Sequence, residues 1–145
     1  MIVFADSSAV VKLYADERDH QLIRRQTVLL VSMLARVEVP AALWRKHRMG
    51  EIGPADVAVL IAAFEADYHG SAEQTPRFSV VAATPTVLEA AARLVGVHGL
   101  RAYDALQLAT AKAAAHAVPD CRTMAAFDVT LRKAAAAEGF ALLPG

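Results

Sequence analysis

Residues 1–10 read MIVFADSSAV, a short apolar stretch that ends at a carboxylate and two hydroxyls. Residues 2–5 predict a buried strand, because a short apolar run without polar alternation is typical of the interior of a parallel sheet. Asp6, Ser7 and Ser8 follow at the carboxyl end of that strand. Ligands of parallel α/β sheets bind outside these strand ends, so Asp6 is a candidate functional residue. Its alternative role is to cap the helix that follows.

The rest of the chain alternates short apolar runs with helical patterns. Four further strands are predicted at 28–31, 78–82, 121–125 and 140–143, and helices at 8–15, 17–25, 33–49, 54–68, 86–96, 102–117 and 129–138. Strands separated by helices form right-handed crossovers, and these build a mainly parallel sheet covered on both faces. We therefore predict an α/β fold of three layers, α/β/α, with about five strands in a single domain of residues 1–145.

Composition excludes several classes of protein. The chain is 56% hydrophobic and 21% charged, which is typical of a folded chain and not of a disordered one. Fifteen basic and fifteen acidic residues cancel, so net charge gives no attraction to nucleic acid or to an anionic membrane. One cysteine allows no internal disulfide, and no apolar run approaches the roughly 18 residues of a membrane span. Since no secretory leader pattern is present, we expect a cytoplasmic protein without a membrane partner.

Three further carboxylates lie in informative settings. Glu38 has apolar helical neighbours, and a carboxylate there is costly unless it is paired, protonated or bound to a cation. Asp104 falls in the first turn of one predicted helix, and Asp128 directly precedes another. Capping or the helix dipole could explain both of these aspartates without any site.

The predicted topology can bring all four carboxylates to one edge of the sheet. Gathered carboxylates repel one another, and a hard divalent cation removes that conflict. Oxygen ligands favour Mg²⁺ or Mn²⁺, whereas zinc usually recruits histidine or cysteine. The sequence therefore predicts a magnesium or manganese site formed by Asp6, Glu38, Asp104 and Asp128.

Four segments together resemble PIN-domain ribonucleases, and most of all the VapC-like toxins of bacterial type II toxin–antitoxin pairs. They are FADSSAVVKLY (4–14), SMLARVEVPAAL (32–43), LRAYDALQLATA (100–111) and AAFDVTLRKAAAAEGF (125–140), and they span nearly the whole chain. The resemblance implies a hydrolase that cleaves RNA with Mg²⁺ or Mn²⁺. It places the catalytic and metal-binding quartet on Asp6, Glu38, Asp104 and Asp128, with Ser8 as the hydroxyl that supports the metal or its water.

The resemblance also implies partners. These are an RNA substrate, a cognate VapB-like antitoxin and a second copy of the chain in a homodimer. Arg101 and Arg36, which lie near the third and second acids, are the candidate RNA-binding cations, and the RKHR segment at 45–48 is a more distant one. A solvated helix face is the alternative for each of them.

Two positions depart from the family pattern and keep other functions open. Met33 stands where many relatives have an acidic residue, and Ala126 stands where Thr or Ser often precedes the fourth acid. One alternative is therefore a weak or inactive PIN-fold module that binds protein. Another is a phosphatase with Asp6 as nucleophile, although Ser8 then replaces the second aspartate of that chemistry.

Overall fold

The computed structural model describes residues 1–145 and contains five strands and seven helices. The strands are β1 (Ile2–Ala5), β2 (Val28–Ser32), β3 (Phe78–Val81), β4 (Cys121–Ala125) and β5 (Ala141–Leu143). The helices are α1 (Ser7–Val11), α2 (His20–Arg24), α3 (Ala35–Arg48), α4 (Pro54–His69), α5 (Pro85–His98), α6 (Ala102–Ala117) and α7 (Val129–Ala137). The predicted α/β fold and its five strands are confirmed.

The sheet is parallel throughout, in the order β3-β2-β1-β4-β5. Strand β1 lies at the centre, where Phe4 pairs with Leu30 of β2 and with Met124 of β4. The chain adds β2 and β3 on one side of β1 and later adds β4 and β5 on the other. Strand order therefore reverses at β1, and a crevice opens at the carboxyl ends of the strands at such a reversal.

The two faces of the sheet pack into two separate cores. On β1, Phe4 points to a core that it shares with Leu108 and with other residues of α5, α6 and α7. Val3 and Ala5 point to the opposite core, which includes Leu43 and is covered by α1 to α4. This alternation follows from the two-residue period of a strand and explains why β1 is apolar on both faces. None of the helices is both long and apolar enough to span a bilayer.

The first two helices are shorter than predicted. Helix α1 ends at Val11, and Lys12, Leu13 and Tyr14 continue with hydrogen bonds to the carbonyl three residues back, as in a 3₁₀ turn. Helix α2 begins at His20, after an Asp19 whose φ of 64° lies in the left-handed region. Leu13 and Tyr14 still pack against the core. The helical spacing of apolar residues therefore continues through the turn, and the sequence does not mark the end of α1.

Candidate active site

A cavity of about 490 Å³ lies at the carboxyl end of β1. Only three of its 13 lining residues are hydrophobic, which suits an ion or a phosphate better than an apolar ligand. The polar lining residues are Asp6, Ser7, Ser8, Glu38, Arg45, Arg48, Arg101, Asp104, Gln107 and Asp128. All four predicted carboxylates therefore share one cavity.

Asp6 both caps α1 and lines the cavity. It is 4% exposed, and its Oδ1 accepts hydrogen bonds from the Ala9 amide at 2.9 Å and from the Ser8 hydroxyl at 2.7 Å. Burial raises the pKa of Asp6 from its ordinary value of 3.8 to about 6. The two hydrogen bonds oppose this rise, and the charges of Asp104 and Glu38 add to it. Asp6, Glu38 and Asp104 line the same cavity, so each negative charge disfavours ionisation of the others.

Glu38 lies in the first turn of α3 and is half-buried. Its Oε1 accepts a hydrogen bond from Ser7 Oγ at 3.1 Å and another from Gln107 Nε2 at 2.9 Å. Its Oε2 has no donor from the protein. Burial raises the pKa of Glu38, the two hydrogen bonds oppose that rise, and the charge of Asp104 adds to it.

Arg101 bridges the two remaining carboxylates. Its guanidinium donates to Asp104 Oδ2 at 3.2 Å, and the same nitrogen lies 3.7 Å from Asp128 Oδ1. Asp128 Oδ2 accepts a hydrogen bond from the Leu131 amide at 2.9 Å and so caps α7. Because the Arg101 side chain is 81% exposed, these ion pairs are weak, and the guanidinium can swing away at little cost.

Six of the seven predicted site residues line the cavity, and Arg36 does not. Arg36 instead forms an ion pair with Glu65 of α4 at 3.1 Å. Residues three and four apart share a helix face, so Arg45 and Arg48 follow Glu38 along α3 into the cavity. Arg36 is two residues from Glu38 and therefore points elsewhere. Helical spacing counted from Glu38 was the signal that could have ranked Arg45 and Arg48 above Arg36.

Sequence reasoning missed Gln107 and the part that Ser7 plays. Gln107 is 3% exposed and lies one turn after Asp104 on α6, a spacing that could have pointed to it. Its Nε2 donates to Ser7 Oγ at 3.0 Å and to Glu38 Oε1 at 2.9 Å. Its Oε1 is the single buried side-chain polar atom without a hydrogen-bond partner. An unsatisfied buried acceptor costs about 1–3 kcal/mol.

Comparison with known proteins assigns the family. Residues 3–137 match the family model of the PIN domain. The chain belongs to the PIN domain family. The fold is similar to the crystal structure of Mycobacterium tuberculosis VapC20, a sarcin-ricin loop cleaving toxin, with 19% identity, 96% of each chain covered and a TM-score of 0.63. A comparison with curated proteins finds no significant match.

The family assignment confirms the predicted resemblance to PIN domains. At 19% identity, the likeness to VapC20 shows a common fold.

Met33 and Ala126, the two departures from the family pattern, do not line the cavity of this PIN domain. Met33 accepts a hydrogen bond from the Ala83 amide on its sulfur, and Ala126 is fully buried.

The donor chemistry of this PIN domain fits a hard divalent cation. Four carboxylates line the cavity, and no histidine or cysteine does. No three acidic, histidine or cysteine side chains are already arranged to hold a metal ion. Arg101 pairs with two of the four carboxylates, Asp104 and Asp128. Movement of that exposed arginine would free both carboxylates for a cation, which would also offset the repulsion among the acids.

We expect the metal-free PIN domain to lose stability as the pH rises from about 4 to about 7. The pKa of Asp6 is about 6 in the folded state against an ordinary value of 3.8, so the folded state binds this proton more tightly. The proton on Asp6 therefore stabilises the folded state fully below the ordinary pKa of 3.8, and this stabilisation is lost as the pH rises through the folded-state pKa of about 6. A shift of about two units corresponds to about 3 kcal/mol.

Denaturant unfolding in chelator at pH 4.5 and pH 7.5 measures this effect, with wild type and Asp6→Asn compared. The asparagine variant should lose the part of the difference that Asp6 supplies, while the raised pKa of Glu38 acts in the same direction and is common to both proteins. The lowered pKa of Glu138, which Lys112 and His98 cause, acts in the opposite direction and is common to both proteins. An Asp6→Asn variant with the same pH dependence as wild type would contradict the expectation.

Proposed function

We propose that this chain is a metal-dependent ribonuclease toxin that cleaves RNA phosphodiester bonds and that a cognate antitoxin neutralises. One observation carries the proposal: in a PIN domain, Asp6, Glu38, Asp104 and Asp128 line one cavity where strand order reverses. The fold shared with VapC20, whose description is that of a toxin cleaving the sarcin-ricin loop, supports the toxin part of the proposal.

The proposed roles of the acids follow from their contacts. A bound Mg²⁺ or Mn²⁺ would supply an activated water and would offset negative charge on the phosphate. Asp6, Glu38 and Asp104 would hold the cation, since their charges already interact, and Asp128, which lines the same cavity, would complete the set. Ser8 donates to Asp6 Oδ1 and leaves Oδ2 free of protein donors, so it orients this carboxylate.

The proposed RNA contacts are the three arginines that line the cavity. Arg45 and Arg48 are exposed and have no acidic partner, so they are free to bind phosphate oxygens. Arg101 can do the same once it leaves the carboxylates. No aromatic side chain lines the cavity, which favours contacts with the sugar–phosphate backbone over stacking on bases.

Arg45→Ala and Arg48→Ala should each weaken RNA binding and lower the slope of log affinity against log salt by about 1, as loss of one phosphate contact does. Fluorescence anisotropy with an RNA oligonucleotide, in the Asp104→Asn background to prevent cleavage, measures both quantities. Arg36→Ala on the same helix is the matched comparison, and we expect a smaller effect because Arg36 pairs with Glu65. An equal effect at Arg36 would favour the sequence-based assignment instead.

The proposed partners are an antitoxin and a second copy of the chain. An antitoxin segment that presents arginine to the carboxylates would compete with the cation and block the cavity. The homodimer is proposed from the family resemblance, and light scattering of the purified chain tests it. We propose that the protein acts in the cytoplasm, where its RNA substrates are.

Incubation of total cellular RNA with the purified protein, with Mg²⁺ and with chelator, tests the proposed activity. Discrete cleavage ends that appear only with the cation support a nuclease, and mapping them identifies the RNA. A folded protein that binds Mn²⁺ but cleaves nothing would favour the inactive binding module. A phosphorylated Asp6, trapped chemically during phosphatase turnover, would favour the aspartate nucleophile.

A further inference from the structure

Gln107 connects three elements at the acidic cavity. It lies on α6, and its Nε2 donates both to Ser7 of α1 and to Glu38 of α3. Ser7 in turn donates to the same Glu38 oxygen, Oε1, at 3.1 Å. The three side chains therefore form a closed triangle of hydrogen bonds, and this triangle fixes one oxygen of Glu38.

The orientation of the Gln107 amide follows from its neighbour. The alternative orientation would turn Gln107 Oε1 toward the carboxylate of Glu38 and place two acceptors against each other. With Nε2 toward Glu38, Oε1 is left buried without a donor. Nearly all buried polar atoms in folded proteins have a partner, so this orphaned oxygen needs an explanation other than stability of the fold.

We infer that Gln107 is a positioning residue that holds Glu38 through Oε1 and leaves Oε2 free to face a divalent cation. This inference rests on the proposed metal-dependent function. The fold tolerates the orphaned Oε1 because the amide nitrogen is needed at Glu38. Gln107 acts on the site through Glu38 and not by contact with the metal or RNA, since its remaining polar atom is sealed from the cavity.

Gln107→Met keeps the length and burial of the side chain and removes both hydrogen bonds. Mn²⁺ affinity, measured by calorimetry, should fall about 10-fold or more, which is typical when a group that orients a metal ligand is removed. The kcat for RNA cleavage should fall, while KM for RNA stays within about twofold of wild type, since RNA binding does not involve Gln107.

Thr110→Val is the matched control on the same helix. Thr110 is fully buried and donates only to the Leu106 carbonyl, and it does not line the cavity. Thermal melts in chelator confirm that each variant is folded. Should Gln107→Met fail to fold, Ser7→Ala removes another side of the same triangle and should also weaken Mn²⁺ binding.

A double-mutant cycle with Glu38→Ala separates positioning from direct contact. If Gln107 acts through Glu38, Gln107→Met should change Mn²⁺ affinity in wild type and have no further effect in the Glu38→Ala background. A loss of equal size in both backgrounds would overturn the inference, because Gln107 would then act directly.

The outcomes also separate this inference from the proposed function. If wild type cleaves RNA and binds Mn²⁺, and Gln107→Met does both equally well, the inference is overturned and the proposed function stands. If wild type neither cleaves RNA nor binds Mn²⁺, both the proposed function and the inference are overturned.

Discussion

Asp6→Asn is expected to reduce the rate of RNA cleavage in Mg²⁺ by about 100-fold or more. Asparagine keeps the shape of the side chain and an acceptor for the Ala9 amide and the Ser8 hydroxyl, so the cap of α1 survives. It removes the negative charge at the most buried carboxylate of the cavity. A loss of about 3 kcal/mol in stabilisation of the transition state corresponds to about 100-fold in rate.

Initial rates on an RNA substrate and thermal melts in chelator measure the two sides of this expectation. The melt should be unchanged or shifted upward, because the substitution removes a buried charge that Asp104 and Glu38 repel. Asp120→Asn, at an exposed position before β4 and outside the cavity, is the matched control and should cleave at the wild-type rate. Wild-type cleavage by Asp6→Asn would show that the site is wrongly assigned.

Asp128 should matter less than the other three acids. Its charge does not contribute to the raised pKa of Asp6 or Glu38, whereas that of Asp104 contributes to both. Asp128 Oδ2 is also engaged in capping α7. Of the four carboxylates, Asp128 is thus the one whose substitution by asparagine should reduce cleavage least.

The sequence leaves capping and a role in the candidate site as alternatives for Asp6 and Asp128, and the structure shows that each aspartate both caps a helix and lines the cavity. Each aspartate accepts a hydrogen bond from a helix amide and also lines the cavity. The reason is topological: in a parallel α/β fold, the carboxyl end of each strand and the amino end of the next helix meet at the same edge of the sheet. A good cap is therefore no argument against a site in this fold class.

The fold was predictable because most strands are short apolar runs, with β4 (CRTMA) the exception, and because several helices have clear starts. Gly53 and Pro54 mark the start of α4, and Thr84 and Pro85 mark the start of α5. The turn after α1 was not predictable, since its apolar residues keep helical spacing.

The site was less predictable than the fold because part of it depends on contacts between distant segments. Gln107 meets Ser7 across 100 residues of chain and Glu38 across 69. The spacing from Asp104 places Gln107 on the same face of α6, but no local pattern identifies the distant groups that it contacts. Glu38 was recognisable because a carboxylate in an apolar setting is costly, and the three aspartates because they lie at a strand end or a helix start, whereas an uncharged amide carries no such signal.

Expression of the wild-type chain in a bacterial host is expected to arrest growth, and expression of Asp104→Asn is not. Asp104 interacts with both Asp6 and Glu38, so its loss should disable cleavage without opening the core. Growth curves after induction measure the effect, and immunoblots establish that the two proteins accumulate equally. Asp120→Asn should arrest growth like wild type. Arrest that persists with Asp104→Asn would contradict a nuclease toxin, because toxicity would then not depend on the acidic cavity.

Co-expression of the protein encoded immediately upstream should relieve that arrest. The cavity already accommodates a guanidinium, since Arg101 bridges Asp104 and Asp128. An arginine from a partner could take the same position, and apolar contacts around it would supply the affinity that exposed ion pairs lack. The purified complex should therefore neither cleave RNA nor bind Mn²⁺ until the partner is removed. If the partner relieves growth arrest but the complex still cleaves RNA as fast as the protein alone, the partner does not act at this cavity.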